Sequence, residues 1–185
     1  MQFEQVADKP QSIASLGPIA QICWVAKDLR VALDFWTTTM GVGPFFLLEH
    51  QRPTNVKAYG RPIEIDYSAA LGSWQDMSIE IIQQHSPEKT FYTDWLDRGQ
   101  TGPHHLLIDV PDMTAAETAI VQKGGLLVYE KSSETSSVKY FDLGAGGPYI
   151  EIGRAPPGAG DILGRIREAS RNWDGSDPIR SFQQL

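Results

Sequence analysis

Cysteine is nearly absent. Cys23 is the only one in 185 residues, which excludes a disulfide framework and any zinc module built on paired CxxC motifs. No apolar run approaches the roughly 18 residues of a membrane span. The opening MQFEQVADKP lacks the apolar stretch of a secretory signal, so a cytoplasmic location is the expectation. Positive charge is also scarce: 16 Lys and Arg stand against 23 Asp and Glu, for a net charge of −7. A surface that tracks phosphates needs clustered cations, so neither nucleic acid nor a membrane is an expected partner. The tail from Arg154 onward mixes arginines with acids and reads as a solvated or partner-facing helix. GAGG at 144–147 lacks the Lys and Ser/Thr of a phosphate-binding loop and reads as a turn. With 41% apolar and 21% charged residues, a chain of this length buries a core without staples.

What is present is a repeat. Residues 19–42 (IAQICWVAKDLRVALDFWTTTMGV) lie over residues 103–126 (PHHLLIDVPDMTAAETAIVQKGGL) so that Gln21 falls on His105, Asp28 on Asp112 and Gly41 on Gly125. Each copy runs through a short apolar strand, an Asp, an amphipathic helix and a closing glycine. Asp28 suits the N-cap of the first helix, with Leu29, Ala32, Leu33, Trp36 and Met40 on one apolar face. Asp112 caps the second, with Met113, Ala116 and Ile120 buried. Further strands are expected at 44–50, 63–71, 74–83, 126–131, 137–143 and 149–154. Ser86 and Pro87 open a connecting helix, Asp161 caps a last helix, and NWDGSDPIRSF reads as turns. The resulting organisation is an N-terminal arm (1–16), a first βαβββ module (17–85), a connecting helix (86–101), a second βαβββ module (102–154) and a C-terminal helix and tail (155–185). The fold class is α+β: two modules form a cupped mixed sheet around one site, with helices on the outer face.

Four polar residues then point away from the helices. Neighbours in a strand face opposite sides of the sheet. If Ile79 and Ile81 pack under a helix, Glu80 faces the other way, and Ile150-Glu151-Ile152 repeats the pattern. Ile22 and Trp24 leave Gln21 and Cys23 on the far side, and Leu106 and Ile108 leave His105 there. Two carboxylates in one cavity repel each other and lose hydration, at a cost of several kcal/mol. A divalent cation removes that cost. Two Glu oxygens, an imidazole nitrogen and an amide oxygen form a mixed shell that suits Zn, Mn, Fe, Co or Ni. Metal ligands are thus expected at Gln21, Glu80, His105 and Glu151. His104 faces the helix side by parity and is the poorer ligand. Cys23 reads as small filler.

The order of elements, GPIAQICWVAKDL with its WTTTMGVGPF continuation, GPHHLLIDVPD and the paired IEI motifs resemble the vicinal oxygen chelate superfamily (glyoxalase, bleomycin resistance protein and extradiol dioxygenase). The resemblance covers roughly Gly17–Arg154. It implies paired βαβββ modules around one divalent ion, with ligands from the first and last strands of each module. On that pattern they are Gln21, Glu80, His105 and Glu151. Many members carry His at the first position. A Gln, Glu, His, Glu set resembles animal-type glyoxalase I, whereas the surrounding sequence is closer to methylmalonyl-CoA epimerase-like proteins.

Both subfamilies remove a proton next to a carbonyl through a metal-held enolate or enediolate. The resemblance therefore implies a metal-dependent isomerase, epimerase or lyase acting on a small carbonyl compound or thioester, with Glu151 or Glu80 as the base and Glu151 favoured. Phe45, Tyr67 and Tyr140 supply candidate substrate contacts, and an aromatic ligand is compatible with them. The alternatives are a non-catalytic, drug-sequestering binding module and a dioxygenase or transferase on the same scaffold. A cupped sheet has free edges, so a homodimer is expected. The C-terminal helix is placed either at that interface or over the cavity mouth.

Overall fold

The computed structural model describes residues 12–134, 136–144, 146–154 and 161–185. Most of the N-terminal arm and the segment before the last helix lie outside them. The first module contains β1 (Ile19–Val25), α1 (Leu29–Asp34), β2 (Phe45–Gln51), β3 (Val56–Ala58), β4 (Arg61–Ile63), β5 (Tyr67–Trp74) and β6 (Met77–Gln84). After α2 (Phe91–Asp97), the second contains β7 (His105–Asp109), α3 (Met113–Gln122), β8 (Leu126–Ser132), β9 (Ser137–Asp142) and β10 (Tyr149–Arg154). The chain closes with α4 (Ile162–Arg171) and β11 (Ile179–Ser181). All strands join one mixed sheet in the order β11-β2-β5-β6-β1-β7-β10-β9-β8-β3-β4. No helix among the described residues is long and apolar enough to cross a membrane.

The local signals act as their chemistry dictates. The Asp28 carboxylate accepts from the backbone N–H of Arg30 and Val31, and Asp112 accepts from Thr114 and Ala115. Each satisfies donors that a helix start leaves orphaned. Asp161 caps α4 in the same way, through the N–H of Gly164. Gly125 must lack a side chain, because a Cβ there would lie 2.5 Å from Cγ2 of Ile120. The outer face carries two apolar clusters. One packs α1 residues Leu29 and Leu33 and nearby Trp36 on Phe45, Ala70, Ile79 and Ile81. The other packs Ala116, Ala119 and Ile120 of α3 on Ile108, Phe141, Ile150 and Ile152.

Four local expectations are corrected. The chain widens into a π turn at Phe35–Thr39. The backbone of Met40 then bonds five residues back, to Phe35. That extra residue rotates Met40 off the apolar face, and it is 37% exposed. The strand expected at 63–71 divides into β4 and β5, because 64–66 turn away to bond the start of the connecting segment. There the N–H of Asp66 donates to Ser86 Oγ and its carbonyl accepts from Ser86. With Ser86 so engaged, and Gln84 Nε2 bonded to the carbonyls of Ser86 and Glu88, the connecting helix starts at Phe91 with Thr90 as its cap. Finally, the terminal stretch supplies more than turns, since β11 pairs in parallel with the edge of β2.

Topology forces the sheet to curl. β2 and β3 are eight strand places apart, which in a flat sheet is about 38 Å. The chain from Gln51 to Val56 can span at most about 18 Å. The far edge must therefore swing round, and the β3–β4 hairpin crosses the opening to pair with β8 (Val56 opposite Lys131, Ala58 opposite Tyr129). The sheet stays open between its edge strands β11 and β4. The interior of the cup holds Cys23, Tyr67, Ala69, Ile82, Tyr129, Tyr140 and Tyr149, plugged at one end by Phe91, Tyr92 and Trp95 of α2. α4 also lies on the inner face, where Ile166 packs on Phe46 and Leu71. Leu71 pairs directly with Glu80, so the last helix sits over the cup.

Candidate metal centre

The four sequence-derived candidates fall on adjacent strands, β6, β1, β7 and β10. Register decides which of them meet. Cys23 pairs with Glu80 on one side and His105 on the other, so these three form a row across the cup. Gln21 lies two residues back on the same face. Glu151 sits one inner-facing position beyond Tyr149, the partner of His105. His105 and Cys23 are fully buried, Gln21 and Glu151 nearly so, and the Glu80 side chain is 16% exposed.

His105 Nε2 is the meeting point. It lies 3.0 Å from Glu151 Oε2 and 3.4 Å from Glu80 Oε2. Donor atoms of Cys23, Glu80 and His105 lie within 4.8 Å of one another. Gln21 Nε2 donates to Ser78 Oγ at 3.2 Å. Phe45, by contrast, packs in the α1-side cluster against Gly72 and is not brought to this face. Tyr67 and Tyr140 are, and the Tyr140 ring stands edge-on to His105 with centroids 5.0 Å apart.

Despite the short separations, neither His105 Nε2 nor Glu151 Oε2 has a directed hydrogen bond. Two buried acceptors that face each other with neither a proton nor a cation between them are costly. Their spacing fits a shared ion: ligands about 2.1 Å from a metal stand roughly 3.0 to 3.4 Å apart at octahedral or tetrahedral angles. A second group, His50, Asp66 and His85, makes a useful contrast. There Asp66 is held by His50 and Arg52 at 3.0 and 2.8 Å, and His85 by Ser68 at 2.8 Å. That surface group is already satisfied, whereas the buried one is not.

His104, the poorer ligand by parity, is fully buried among Phe91, Tyr92, Trp95 and Tyr149. Its Nε2 lies 3.3 Å from the Phe91 carbonyl and its Nδ1 2.9 Å from His105 Nδ1. A carbonyl only accepts, so His104 Nε2 carries the proton. Burial and the neighbouring His105 hold His104 well below the usual histidine range, and a neutral His104 offers Nδ1 as an acceptor. His105 Nδ1 therefore donates, which leaves Nε2, the nitrogen that faces the carboxylates, to take either a proton or a cation. This is the orienting contact that metal-binding imidazoles use.

Burial alone pulls the His105 pKa down, but Glu151 and Glu80 outweigh it and raise it to about 9. In the metal-free protein the proton thus stands where a cation fits. Its stabilisation is fully present below the unfolded histidine value of about 6.5 and is lost as pH rises through about 9. An incoming ion must displace that proton. Zinc titrations below pH 9 are expected to release about one proton per ion from His105, and affinity should climb with pH until about 9. Calorimetry in buffers of different ionisation enthalpy reads this directly. Burial, with Glu80 and Glu151, also raises the Cys23 pKa well above a normal thiol, and its Sγ donates to the Trp24 carbonyl. As a thiol it fills space.

Residues 20–140 match the profile of the glyoxalase/bleomycin resistance protein/dioxygenase superfamily. No curated protein matches the chain by sequence. Among solved structures, methylmalonyl-CoA epimerase from Mycobacterium tuberculosis is 20% identical with a TM-score of 0.52, covering 75% of this chain and 88% of that one. A hypothetical protein from Bacillus halodurans C-125 is 14% identical with a TM-score of 0.49, covering 75% and 94%. The epimerase from Streptomyces coelicolor, in complex with 2-nitronate-propionyl-CoA, is 17% identical with a TM-score of 0.46, covering 75% and 97%. The profile spans well over half the chain, from β1 through most of β9, and the paired modules have the matching architecture: the chain belongs to the glyoxalase/bleomycin resistance protein/dioxygenase superfamily.

Proposed function

We propose that the chain is a metal-dependent enzyme that removes a proton from carbon next to a carbonyl, as an isomerase, epimerase or lyase. The observation that carries this reading is the pair of orphaned buried atoms, His105 Nε2 and Glu151 Oε2, facing each other at 3.0 Å with Glu80 at 3.4 Å. His105, Glu80 and Glu151 would hold a divalent ion, with the Gln21 amide oxygen as the fourth ligand. A bound ion would polarise the substrate carbonyl and lower the acidity barrier of the adjacent carbon.

The remaining roles fall to the chain itself. A carboxylate of Glu151 or Glu80 takes the proton on loosening from the ion, and Glu151 is favoured because its side chain is the more buried, 9% exposed against 16% for Glu80. His104 fixes the His105 tautomer. α2, the β3–β4 hairpin and α4 keep bulk water from the carbanionic intermediate. All of these groups come from one chain, so a homodimer is not needed to complete the site. The structure from Mycobacterium tuberculosis is named as a methylmalonyl-CoA epimerase, a name compatible with a small thioester substrate here.

The test is α-proton exchange in D2O, followed by NMR on zinc- or cobalt-loaded protein with a panel of acyl-CoA thioesters, glutathione hemithioacetals and aryl ketones. Exchange on at least one class is the expected result. Tight ligand binding with no exchange on any class would instead make the chain a sequestering module.

A further inference from the structure

The lysines neighbouring Lys131, on the outer face of the adjoining strands, reach carboxylates: Lys57 pairs with Glu130 at 2.9 Å and Lys139 with Glu117 at 2.6 Å. Lys131 does not. Its strand position alternates with Glu130, so it shares the inner face with Tyr129, and both stand opposite inner-facing hairpin residues, Val56 and Ala58. Among the described residues its ammonium makes no ion pair. It donates to a neutral group, the Tyr67 hydroxyl on the opposite wall of the cup, at 3.0 Å. Beside it, the Tyr129 hydroxyl is buried with no hydrogen-bond partner, in a residue only 1% exposed. A turned-in cation bonded only to a neutral hydroxyl, beside a second hydroxyl with no partner, is the complement of an anion.

The position of this pair narrows the anion. Tyr129 packs edge-on to Tyr140, and Tyr140 edge-on to His105, with centroids 5.5 and 5.0 Å apart. Tyr140 is also the strand partner of Glu151. The Tyr140 ring therefore lies between Tyr129 and the carboxylate–imidazole cluster, and puts both on one inner surface.

We propose that Lys131 and Tyr129, with Tyr67 positioning the ammonium, form a carboxylate-binding subsite, so that the substrate is a carbonyl compound bearing a carboxylate at its far end. That the bound acid is a substrate rests on the proposed reaction, whereas the subsite stands on its own residues. Lys131 would be a specificity residue: it grips the end of the molecule that does not react and sets which carbon meets Glu151.

Succinate serves as the probe, with succinamide as its neutral counterpart. Ligand-observed NMR titration is run on metal-free and zinc-loaded protein. Succinate should bind both forms and succinamide neither. Lys131→Met should weaken succinate at least about tenfold, as loss of a charge-assisted bond requires. Tyr129→Phe, which removes only an unpartnered oxygen and leaves the packing intact, should weaken it several-fold. Unchanged succinate affinity in both variants would overturn the subsite. So would binding that occurs only in the zinc-loaded form and ignores Lys131, since the acid would then sit on the ion. If the chain proves unable to hold zinc while succinate still depends on Lys131, the metal reading fails and the subsite survives.

Discussion

Replacing Glu151 with Gln should cut α-proton exchange by about 10²- to 10⁴-fold, the usual contribution of a positioned base. The substitution keeps the size of the side chain and its capacity to accept a hydrogen bond, so the fold should persist. It removes the basic lone pair and one negative charge beside His105. Glu80→Gln should produce a smaller fall if Glu80 is ligand only, and a comparable one if the two share the base role. The distinguishing measurement is zinc content in the same preparations. A Glu151→Gln protein that keeps its ion but loses exchange assigns the base. Near-wild-type exchange in both variants would remove proton abstraction from the account.

A second large effect concerns the plug. Phe91 is fully buried and its ring lies within 5.3 Å of the rings of Tyr92, His104, Tyr129, Tyr140 and Tyr149. Phe91→Ala should destabilise the chain by about 3–5 kcal/mol, the combined cost of lost transfer and a residual cavity. Its carbonyl also accepts from His104, so the void opens beside the group that sets the His105 tautomer. Denaturant unfolding measures the stability loss. A cost below about 1 kcal/mol would mean that α2 rests on the cup rather than filling it. Metal affinity in the same variant should fall alongside stability, since an unsupported His104 no longer orients His105.

The face of each strand was legible from sequence because alternation needs only the local pattern. Ile79 and Ile81, Ile150 and Ile152, and Leu106 and Ile108 do sit under or beside the two module helices, and Glu80, Glu151 and His105 do face the interior. The helix starts were legible for the same reason: Asp28, Asp112 and Asp161 act within three residues of themselves. Pairing register was not. Nothing local tells that Cys23, rather than Gln21, stands opposite both Glu80 and His105. The hairpin at 56–63 was hidden because its partner, β8, is some 70 residues away in the chain, and short strands carry too little periodicity to be read alone. Lys131 is turned inward by its alternation with Glu130, but alternation alone does not mark it as a site residue. The missing fact was that β8 is covered on that face. Strand parity does not govern His104, which precedes β7 and packs instead on the aromatic residues of α2.

Metal content tests the central claim most directly. Protein purified without added metal, or reconstituted and dialysed, should carry about one zinc, manganese, cobalt, nickel or iron per chain by elemental analysis, and His105→Gln should carry almost none. A wild-type chain that retains no divalent ion after reconstitution, or a His105→Gln chain that retains a full equivalent, would contradict the account.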